Sequence, residues 1–191
     1  MYFVYETDFI TFQSILDSGY FLTSKQMQSK KKYNIPKCYE KPKNISKDPH
    51  KMLKGGVLTY LDEVDATYFK IRSNCEIETI FSDCIFILEP NILKKYRFVF
   101  NTEPNRGFFI GKEGCINKSK LTGKKGISVS SYSLFNKTFK DVKFNSERSE
   151  LAVLDQIHIN DVKYIIMKND YYTNDVIKKC LEHDILVFGS Q

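Results

Sequence analysis

Long apolar runs are missing from the 191-residue chain, and their absence limits what the protein can be. A helix that spans a bilayer needs about 20 consecutive apolar residues. No apolar run in this sequence approaches that length, so no membrane partner is expected. The opening residues MYFVYETDF also lack the basic region, apolar core and small-residue cleavage site of a secretory signal. We therefore expect a cytoplasmic protein.

Metal-binding and common catalytic patterns are missing as well. The five cysteines are scattered, odd in number and contain no CxxC pair, and the three histidines lie far apart. Because a zinc site needs closely spaced Cys or His ligands, no metal is expected, and the cysteines are predicted to be reduced thiols. The chain contains no GxGxxG, GxxxxGK(S/T), HExxH or GxSxG motif, the signatures of several large enzyme classes.

The composition that remains is that of a globular protein. Apolar residues make up 42% of the chain and aromatic residues 14%, all of them tyrosine or phenylalanine because tryptophan is absent. At this length we expect one domain, residues 1–191, with enough apolar surface to form a core. Helical spacing predicts helices at residues 9–16, with Asp8 as the N-cap and Gly19 as the end, at 62–71, and at 174–183.

Short strand patterns outnumber the helices. Runs of β-branched and aromatic residues predict strands at residues 1–7, 20–22, 55–61, 84–88, 96–100, 126–129, 151–154, 164–167 and 185–188. Residues 101–125 are rich in glycine and are predicted to form a loop. Because the strands do not alternate regularly with helices, we expect an α+β fold rather than a doubly wound parallel sheet.

The net charge of +6 is concentrated in one segment, residues 25–54. This segment holds ten lysines against Glu40 and Asp48, a net charge of +8, so the rest of the chain carries about −2. Its prolines and lack of periodicity predict a long loop insertion. Such a charge run either keeps a protein soluble or binds nucleic acid through phosphate contacts and base stacking. The residues that would contact the acceptor in the second case are Lys30, Lys31, Lys32, Tyr33 and Lys37.

Two stretches of the chain resemble the opening and the closing segments of ADP-ribosyltransferases. VYETDFITFQSILDSGYFL is similar to the family's first strand and helix, which are joined by a His-Gly-Ser/Thr turn. Tyr5, Glu6 and Thr7 occupy that turn, and Gly19, fourteen positions after Tyr5, ends the helix. ELAVLDQIHINDVKYIIM is similar to the family's closing segment, in which the first glutamate is catalytic. That glutamate corresponds to Glu150.

A third stretch, GGVLTYLDEVDATYFKI, resembles the central segment of the same family. Gly56 would open its strand, and Tyr68 would lie on the helix that follows. In poly(ADP-ribose) polymerases the tyrosine at this place stacks on the nicotinamide ring, so the resemblance implies that role for Tyr68. The residues after the closing segment also resemble DarT-like transferases, which modify DNA. The fold implied is one of split mixed and antiparallel β-sheets with flanking short helices.

The resemblance implies an NAD-dependent mono-ADP-ribosyltransferase, an enzyme of the glycosyltransferase class, with NAD as co-substrate and a protein or nucleic-acid acceptor. Glu150 would be catalytic, because a carboxylate that holds a ribose hydroxyl stabilises the positive charge that develops as nicotinamide leaves. Tyr5 stands where the family has histidine, which favours transfer of single units or loss of catalysis. The residues that would bind NAD are Tyr5, Glu6, Thr7, Gly56 and Tyr68.

Other readings of the same residues stay open. Glu150 could be a solvated strand-end residue paired with Arg148 or Lys163, and Tyr5 could point into the core because it alternates with Phe3. The chain could be an inactive transferase-like fold that binds nucleic acid or a nucleotide, or it could transfer an RNA 2′-phosphate to NAD. The richness in Lys, Asn and Ile is typical of viral or bacterial AT-rich genomes, and for a viral chain the compartment would be the host cytoplasm.

Overall fold

The structure, a computed structural model, describes residues 1–21, 67–72, 82–103, 116–118, 123–139 and 149–190. The lysine-rich segment 25–54 and the strand predicted at residues 55–61 lie outside the described residues. The described strands are β1 (Tyr2–Thr7), β2 (Tyr20–Phe21), β3 (Thr67–Arg72), β4 (Cys84–Leu88), β5 (Phe98–Asn101), β6 (Ile116–Lys118), β7 (Lys125–Val129), β8 (Glu150–Val153), β9 (Ile157–His158), β10 (Tyr164–Met167) and β11 (Leu186–Gly189). The α-helices are α1 (Phe9–Ser18), α2 (Tyr132–Phe139) and α3 (Asn174–Leu181).

Nine of these strands form one large sheet, in the order β11-β10-β4-β1-β3-β8-β5-β7-β6. All of its neighbouring pairs are antiparallel except β10 and β11, which are parallel. Strands β2 and β9 form a separate antiparallel pair. A mixed sheet with short helices of this kind is an α+β fold, as the sequence predicted.

The main core lies on one face of the large sheet, under the three helices. Each helix contributes buried residues to it, for example Phe12 from α1, Phe135 from α2 and Val176 from α3. Val4, Ile85 and Ile87 form a smaller buried cluster separate from this core. Val4 alternates along β1 with the core residue Phe3, so this second cluster lies on the opposite face of the sheet.

The first helix forms where its capping residues predicted it. Asp8 is the N-cap, and its carboxylate accepts a hydrogen bond of 2.8 Å from the backbone N–H of Thr11. Gly19 ends the helix with φ of 73°, a conformation that glycine adopts without the steric penalty of a side chain. Its N–H donates to the carbonyl oxygen of Ile15 at 2.9 Å. Strand β1 is therefore followed at once by a rigid helix.

The structure differs from the sequence expectations in the middle of the chain. Residues 67–71, predicted as the end of a helix, lie in strand β3 (Thr67–Arg72). Phe69 and Ile71 are buried and Lys70 is exposed, which is the two-residue period of a strand. The predicted loop at 101–125 contains β6, and α2 was not predicted, although its buried Phe135 and Phe139 are spaced four residues apart.

Two cysteines lie in the described part of the chain, and both are free and buried. Burial raises the pKa of Cys84 to about 12, and the neighbouring Asp83 adds to the shift. Burial also raises the pKa of Cys180 to about 11. Both side chains therefore pack as neutral thiols at physiological pH. Separately, no helix among the described residues is long and apolar enough to cross a membrane.

Candidate functional site

Strands β1, β3 and β8 are neighbours in the large sheet, and they carry residues from the three stretches that resemble ADP-ribosyltransferases. Lys70 of β3 pairs with Val4 of β1 on one side and with Glu150 of β8 on the other. Neighbouring strands lie about 4.8 Å apart, so positions 4 and 150 are separated by roughly 10 Å. Tyr68 pairs with Ala152 in the same ladder. The backbone thus brings together segments that are distant in sequence.

The residues that pair with Glu150 across the next strands of the sheet are also polar. Asn101 of β5 pairs with Glu150, and Ser128 of β7 pairs with Asn101. Residues paired directly across an antiparallel sheet share a face. We call positions 128, 101, 150 and 70 the polar row. Asn101 and Ser128 are buried, whereas Lys70 is exposed.

An ion pair joins β1 to β3 next to the polar row. The ammonium group of Lys70 donates a hydrogen bond to the carboxylate of Glu6. The Lys70 side chain is 60% exposed and that of Glu6 is 18% exposed, so solvent screens the pair and its contribution to stability is small. Its effect is to hold a carboxylate and an ammonium group on the face to which the polar row belongs.

Tyr5 lies on the other face of β1, because it alternates with Glu6. Its partly buried ring packs among core aromatic side chains, with centroid distances of 5.4 Å to Phe21, 5.8 Å to Phe69 and 6.3 Å to Phe86. Tyr5 therefore contributes to the core. Tyr5 and Glu6 are neighbours in sequence, but their side chains lie on opposite faces of β1.

Three buried side-chain oxygens in the described residues have no hydrogen-bond partner: Thr7 Oγ1, Thr67 Oγ1 and Asn101 Oδ1. They lie on β1, β3 and β5, which with β8 form four consecutive strands of the sheet. An unpaired buried polar group destabilises a protein by about 1–3 kcal/mol, so such groups call for an explanation. Alternation along the strands places Thr7 and Thr67 on the face that carries the main core, whereas Asn101 lies on the face of the polar row.

Of the remaining predicted site residues, the structure describes Tyr68 and Glu150. Tyr68 was predicted on a helix, and this is wrong, because it lies within strand β3. Glu150 is the first residue of β8, a strand start like the one expected from its place in the family pattern. Gly56 and the predicted acceptor-binding residues lie outside the described residues; the latter are Lys30, Lys31, Lys32, Tyr33 and Lys37.

The carboxylate of Asp155, which is not among the predicted site residues, fixes the end of β8. Asp155 accepts hydrogen bonds from Arg97, at 2.6 Å from the backbone N–H, 2.8 Å from Nε and 2.6 Å from Nη2. The backbone N–H of Leu154 donates in turn to the carbonyl oxygen of Arg97 at 2.8 Å. The hydrogen bonds from Arg97 lower the pKa of Asp155. They hold the strand that begins with Glu150 against β5.

Asp155 gives a pH-dependent prediction. A carboxyl group whose pKa is lowered by folding stabilises the protein above its unfolded pKa, near 3.8, and this contribution is lost as the pH falls through the lower folded value. We expect Asp155→Asn to lower the denaturation midpoint slightly at pH 7 and to have little effect once the pH is well below 3.8. Denaturant unfolding of both proteins across this range measures the difference. An Asp17→Asn variant, which removes an exposed pair with Lys179, serves as the control and should leave the denaturation midpoint at pH 7 close to that of the wild type.

A second polar cluster anchors the segment that follows β8. The hydroxyl of Tyr96 donates to Asp161 and accepts a hydrogen bond of 3.1 Å from the backbone N–H of His158. Lys95 donates to the same carboxylate at 2.9 Å. Burial is the main reason why the pKa of Tyr96 is raised. Because each group in this cluster has a partner, its role is to fix the chain between β9 and β10.

The polar row offers hydrogen-bonding groups of several kinds to a polar ligand. Among the described residues, no group of three or more His, Cys, Asp or Glu side chains is placed to hold a metal. The polar row instead combines an amide, a hydroxyl and an ammonium group with a glutamate position at the start of a strand. Amide and carboxylate oxygens accept hydrogen bonds, so these strands offer acceptors to a ligand that carries hydroxyl donors.

A solved structure with a similar fold is that of DarT from Thermus sp. 2.9 in complex with ADP-ribosylated ssDNA. The two chains superpose with a TM-score of 0.53 over 99% of this chain and 93% of the DarT chain, at 10% sequence identity. At this identity the likeness concerns the fold. It confirms the DarT-like α+β fold that the resemblance implied.

Sequence comparisons identify relatives that have no assigned function. The uncharacterized protein 422L of Invertebrate iridescent virus 6 is 28% identical over 171 residues, which cover 86% of this chain and 84% of the viral protein. A viral relative agrees with the composition noted above. The sequence model of DUF5863, a family of unknown function, matches residues 1–169, which is most of the chain. The protein therefore belongs to the DUF5863 family.

Proposed function

We propose that the protein is an NAD-dependent mono-ADP-ribosyltransferase that modifies nucleic acid. The observation that carries the proposal is the adjacency of β1, β3 and β8 within a DarT-like fold, with Glu150 as the first residue of β8. A glutamate at this place matches the catalytic residue of the family that the closing segment resembles. The unpaired buried oxygen of Asn101, which pairs with Glu150 across the sheet, supports a ligand site there.

The predicted residues on the polar-row face receive roles that their chemistry permits. The carboxylate of Glu150 holds a hydroxyl of the nicotinamide ribose, and Tyr68 stacks on the nicotinamide ring. The backbone of Glu6 binds the nicotinamide amide, a contact that needs no particular side chain. Gly56 lets the backbone approach the dinucleotide closely. The side chains of Tyr5 and Thr7 lie on the other face of β1, so we assign them no contact with NAD bound at the polar row.

The reaction exchanges one bond at the ribose C1′ atom for another. The bond between C1′ and the nicotinamide nitrogen breaks, and nicotinamide leaves with the electron pair. Positive charge develops on the ribose, and the negative charge of Glu150 stabilises it because both lie in a protein environment with a lower dielectric constant than water. A nucleophilic atom of the acceptor then forms a bond to C1′ and releases its proton to solvent.

Nucleic acid is the acceptor class that two separate features favour. The similar DarT structure contains ADP-ribosylated ssDNA. The segment 25–54 carries a net charge of +8, with tyrosines among its lysines, and such a composition suits contacts with phosphates and unstacked bases. Under this proposal, Lys30, Lys31, Lys32, Tyr33 and Lys37 contact the acceptor strand.

The test is to incubate the purified protein with NAD labelled on its adenylate phosphate and to supply ssDNA, RNA or protein as the acceptor. We expect nicotinamide release and an equal amount of label attached to the oligonucleotide. Release without label transfer would indicate hydrolysis of NAD rather than transfer. If neither nicotinamide release nor transfer occurs with any acceptor, the protein is not an ADP-ribosyltransferase.

A binding module without catalysis is the second candidate, and the position of Tyr5 favours it. This residue replaces the family's histidine, and its ring packs against three core aromatic side chains. Thermal unfolding with NAD and with short ssDNA separates the two functions. A rise in melting temperature without nicotinamide release supports binding alone.

Transfer of an RNA 2′-phosphate has less support. Such a reaction needs free arginines around the phosphate, and the guanidinium group of Arg97 is bound to Asp155 at 2.6 Å. Arg106 and Arg148 lie outside the described residues.

A further inference from the structure

Asn101 occupies a position in the candidate site that its sequence context does not suggest. It is the last residue of β5, and it pairs with Glu150 on one side and with Ser128 on the other. Two ladders of backbone hydrogen bonds therefore fix its location beside the start of β8. The side chain is only 2% exposed, so it does not belong to the solvated surface.

The side-chain oxygen of Asn101 has no hydrogen-bond partner within the described structure. Its neighbours in this corner of the sheet are paired. Thr102 Oγ1 accepts from the N–H of Ile127 at 2.8 Å, and the hydroxyl of Ser149 donates to the carbonyl oxygen of Thr102 at 3.4 Å. The missing partner is therefore a property of Asn101 rather than of a loosely packed region. An amide oxygen that is buried and unpaired is unfavourable unless something outside the protein satisfies it.

The chemistry of the missing partner follows from its surroundings. An amide oxygen accepts hydrogen bonds, so the partner that Asn101 lacks is a donor supplied by a ligand. Position 150, its neighbour on β8, is a glutamate, and an ionised carboxylate also only accepts hydrogen bonds. The ribose of a nucleotide carries two adjacent hydroxyl groups, and each one can donate a hydrogen bond. A pair of acceptors on adjacent strands, about 4.8 Å apart, matches a pair of neighbouring donors on one sugar.

We infer that Asn101 is a substrate-binding residue whose Oδ1 accepts a hydrogen bond from the 3′-hydroxyl of the nicotinamide ribose, while Glu150 holds the 2′-hydroxyl. This inference rests on the proposed function and deepens it, because it makes a free ribose diol a requirement for the substrate. Asn101 is thereby expected to act mainly on binding, whereas Glu150 acts mainly on the chemical step.

Asn101→Leu tests the inference, because leucine has a similar shape and no acceptor. With NAD, we expect KM to rise about tenfold, the equivalent of one lost hydrogen bond, and kcat to change less than threefold. With an NAD analogue that lacks the 3′-hydroxyl of the nicotinamide ribose, wild type and variant should have the same KM. Asn101→Asp keeps an acceptor and should raise KM for NAD less. Asn136→Leu, the same change at an exposed position of α2, is the control and should leave KM unaltered.

Thermal stability is a second measurement, and it separates a binding role of Asn101 from a structural one. If Asn101 stabilised the fold, replacing it would lower the melting temperature. Asn101→Leu should leave the melting temperature unchanged or raise it, because the change removes an unpaired buried oxygen. A lower melting temperature together with an unchanged KM would show that Asn101 serves the fold and would overturn the inference. Equal KM ratios for NAD and for the analogue would overturn it too. If the wild type releases no nicotinamide and gains no stability from NAD, the proposed function fails together with the inference; the other outcomes leave the proposed function standing.

Discussion

Glu150→Gln is expected to lower the rate of nicotinamide release at least about 100-fold while the protein remains folded. Glutamine has nearly the same shape as glutamate but no negative charge. It can still form a hydrogen bond with the ribose, but it cannot stabilise the positive charge that develops as the bond to nicotinamide breaks. The loss should therefore fall on kcat, with a smaller change in KM.

Three measurements make this expectation specific to the site. Nicotinamide release under single-turnover conditions reports the chemical step, and thermal unfolding reports the fold. The control is Glu182→Gln, which makes the same change at an exposed position next to α3 and should leave the rate unaltered. If Glu150→Gln releases nicotinamide as fast as the wild type, Glu150 is not the catalytic residue, and the assignment of the site to the start of β8 is wrong.

Phe86→Ala has the largest expected effect on stability. Phe86 is fully buried in β4, which pairs with β1 and β10, and its ring lies 4.9 Å from that of Phe21 and 5.5 Å from that of Phe12. Removing a buried phenylalanine ring lowers the free energy of unfolding by about 3–5 kcal/mol. For a protein of this size, such a loss lowers the melting temperature by about 10 °C.

Denaturant unfolding of Phe86→Ala measures the loss, and Phe188→Ala is the matched control. Phe188 lies on the edge strand β11 and is 50% exposed, so its removal should lower the free energy of unfolding by about 1 kcal/mol or less. Where Phe86→Ala fails to fold, Phe86→Leu keeps part of the packing and should show a smaller loss of the same kind. Equal effects at Phe86 and Phe188 would contradict the assignment of Phe86 to the main core.

The parts of the fold that the sequence predicted are those with strong local signals. Strand β4 and helix α1 form at the expected places, because continuous apolar residues specify the first and capping residues specify the second. The helix predicted over residues 62–71 shows the limit of such signals. Its acidic start favours a helix, but the alternation of Phe69, Lys70 and Ile71 allows β3 to insert between β1 and β8. Pairing between distant segments decided the outcome there.

The candidate site could be predicted only where a family pattern marks it. Glu150 was predicted as a site residue because it precedes an alternating apolar run that resembles a known closing segment. No family pattern indicates Lys70, Asn101 or Ser128. They lie in one row only because of the order and register of the strands. A polar residue that ends an apolar strand, as Asn101 ends FVFN, was the one available sign. Register cannot be read from one strand alone, so the row itself could not be predicted.

Strand β3 is six residues long, yet it alone connects β1 to β8. Its pairings join position 70 to position 4 and to position 150, so each pairing closes a long loop of the chain. Contacts between such remote positions form slowly, because closing a long loop costs conformational entropy before the contact can stabilise the protein. Neither half of the polypeptide, expressed separately, contains all three strands. During synthesis on the ribosome, the candidate site is therefore incomplete until β8 has emerged and can pair with β3.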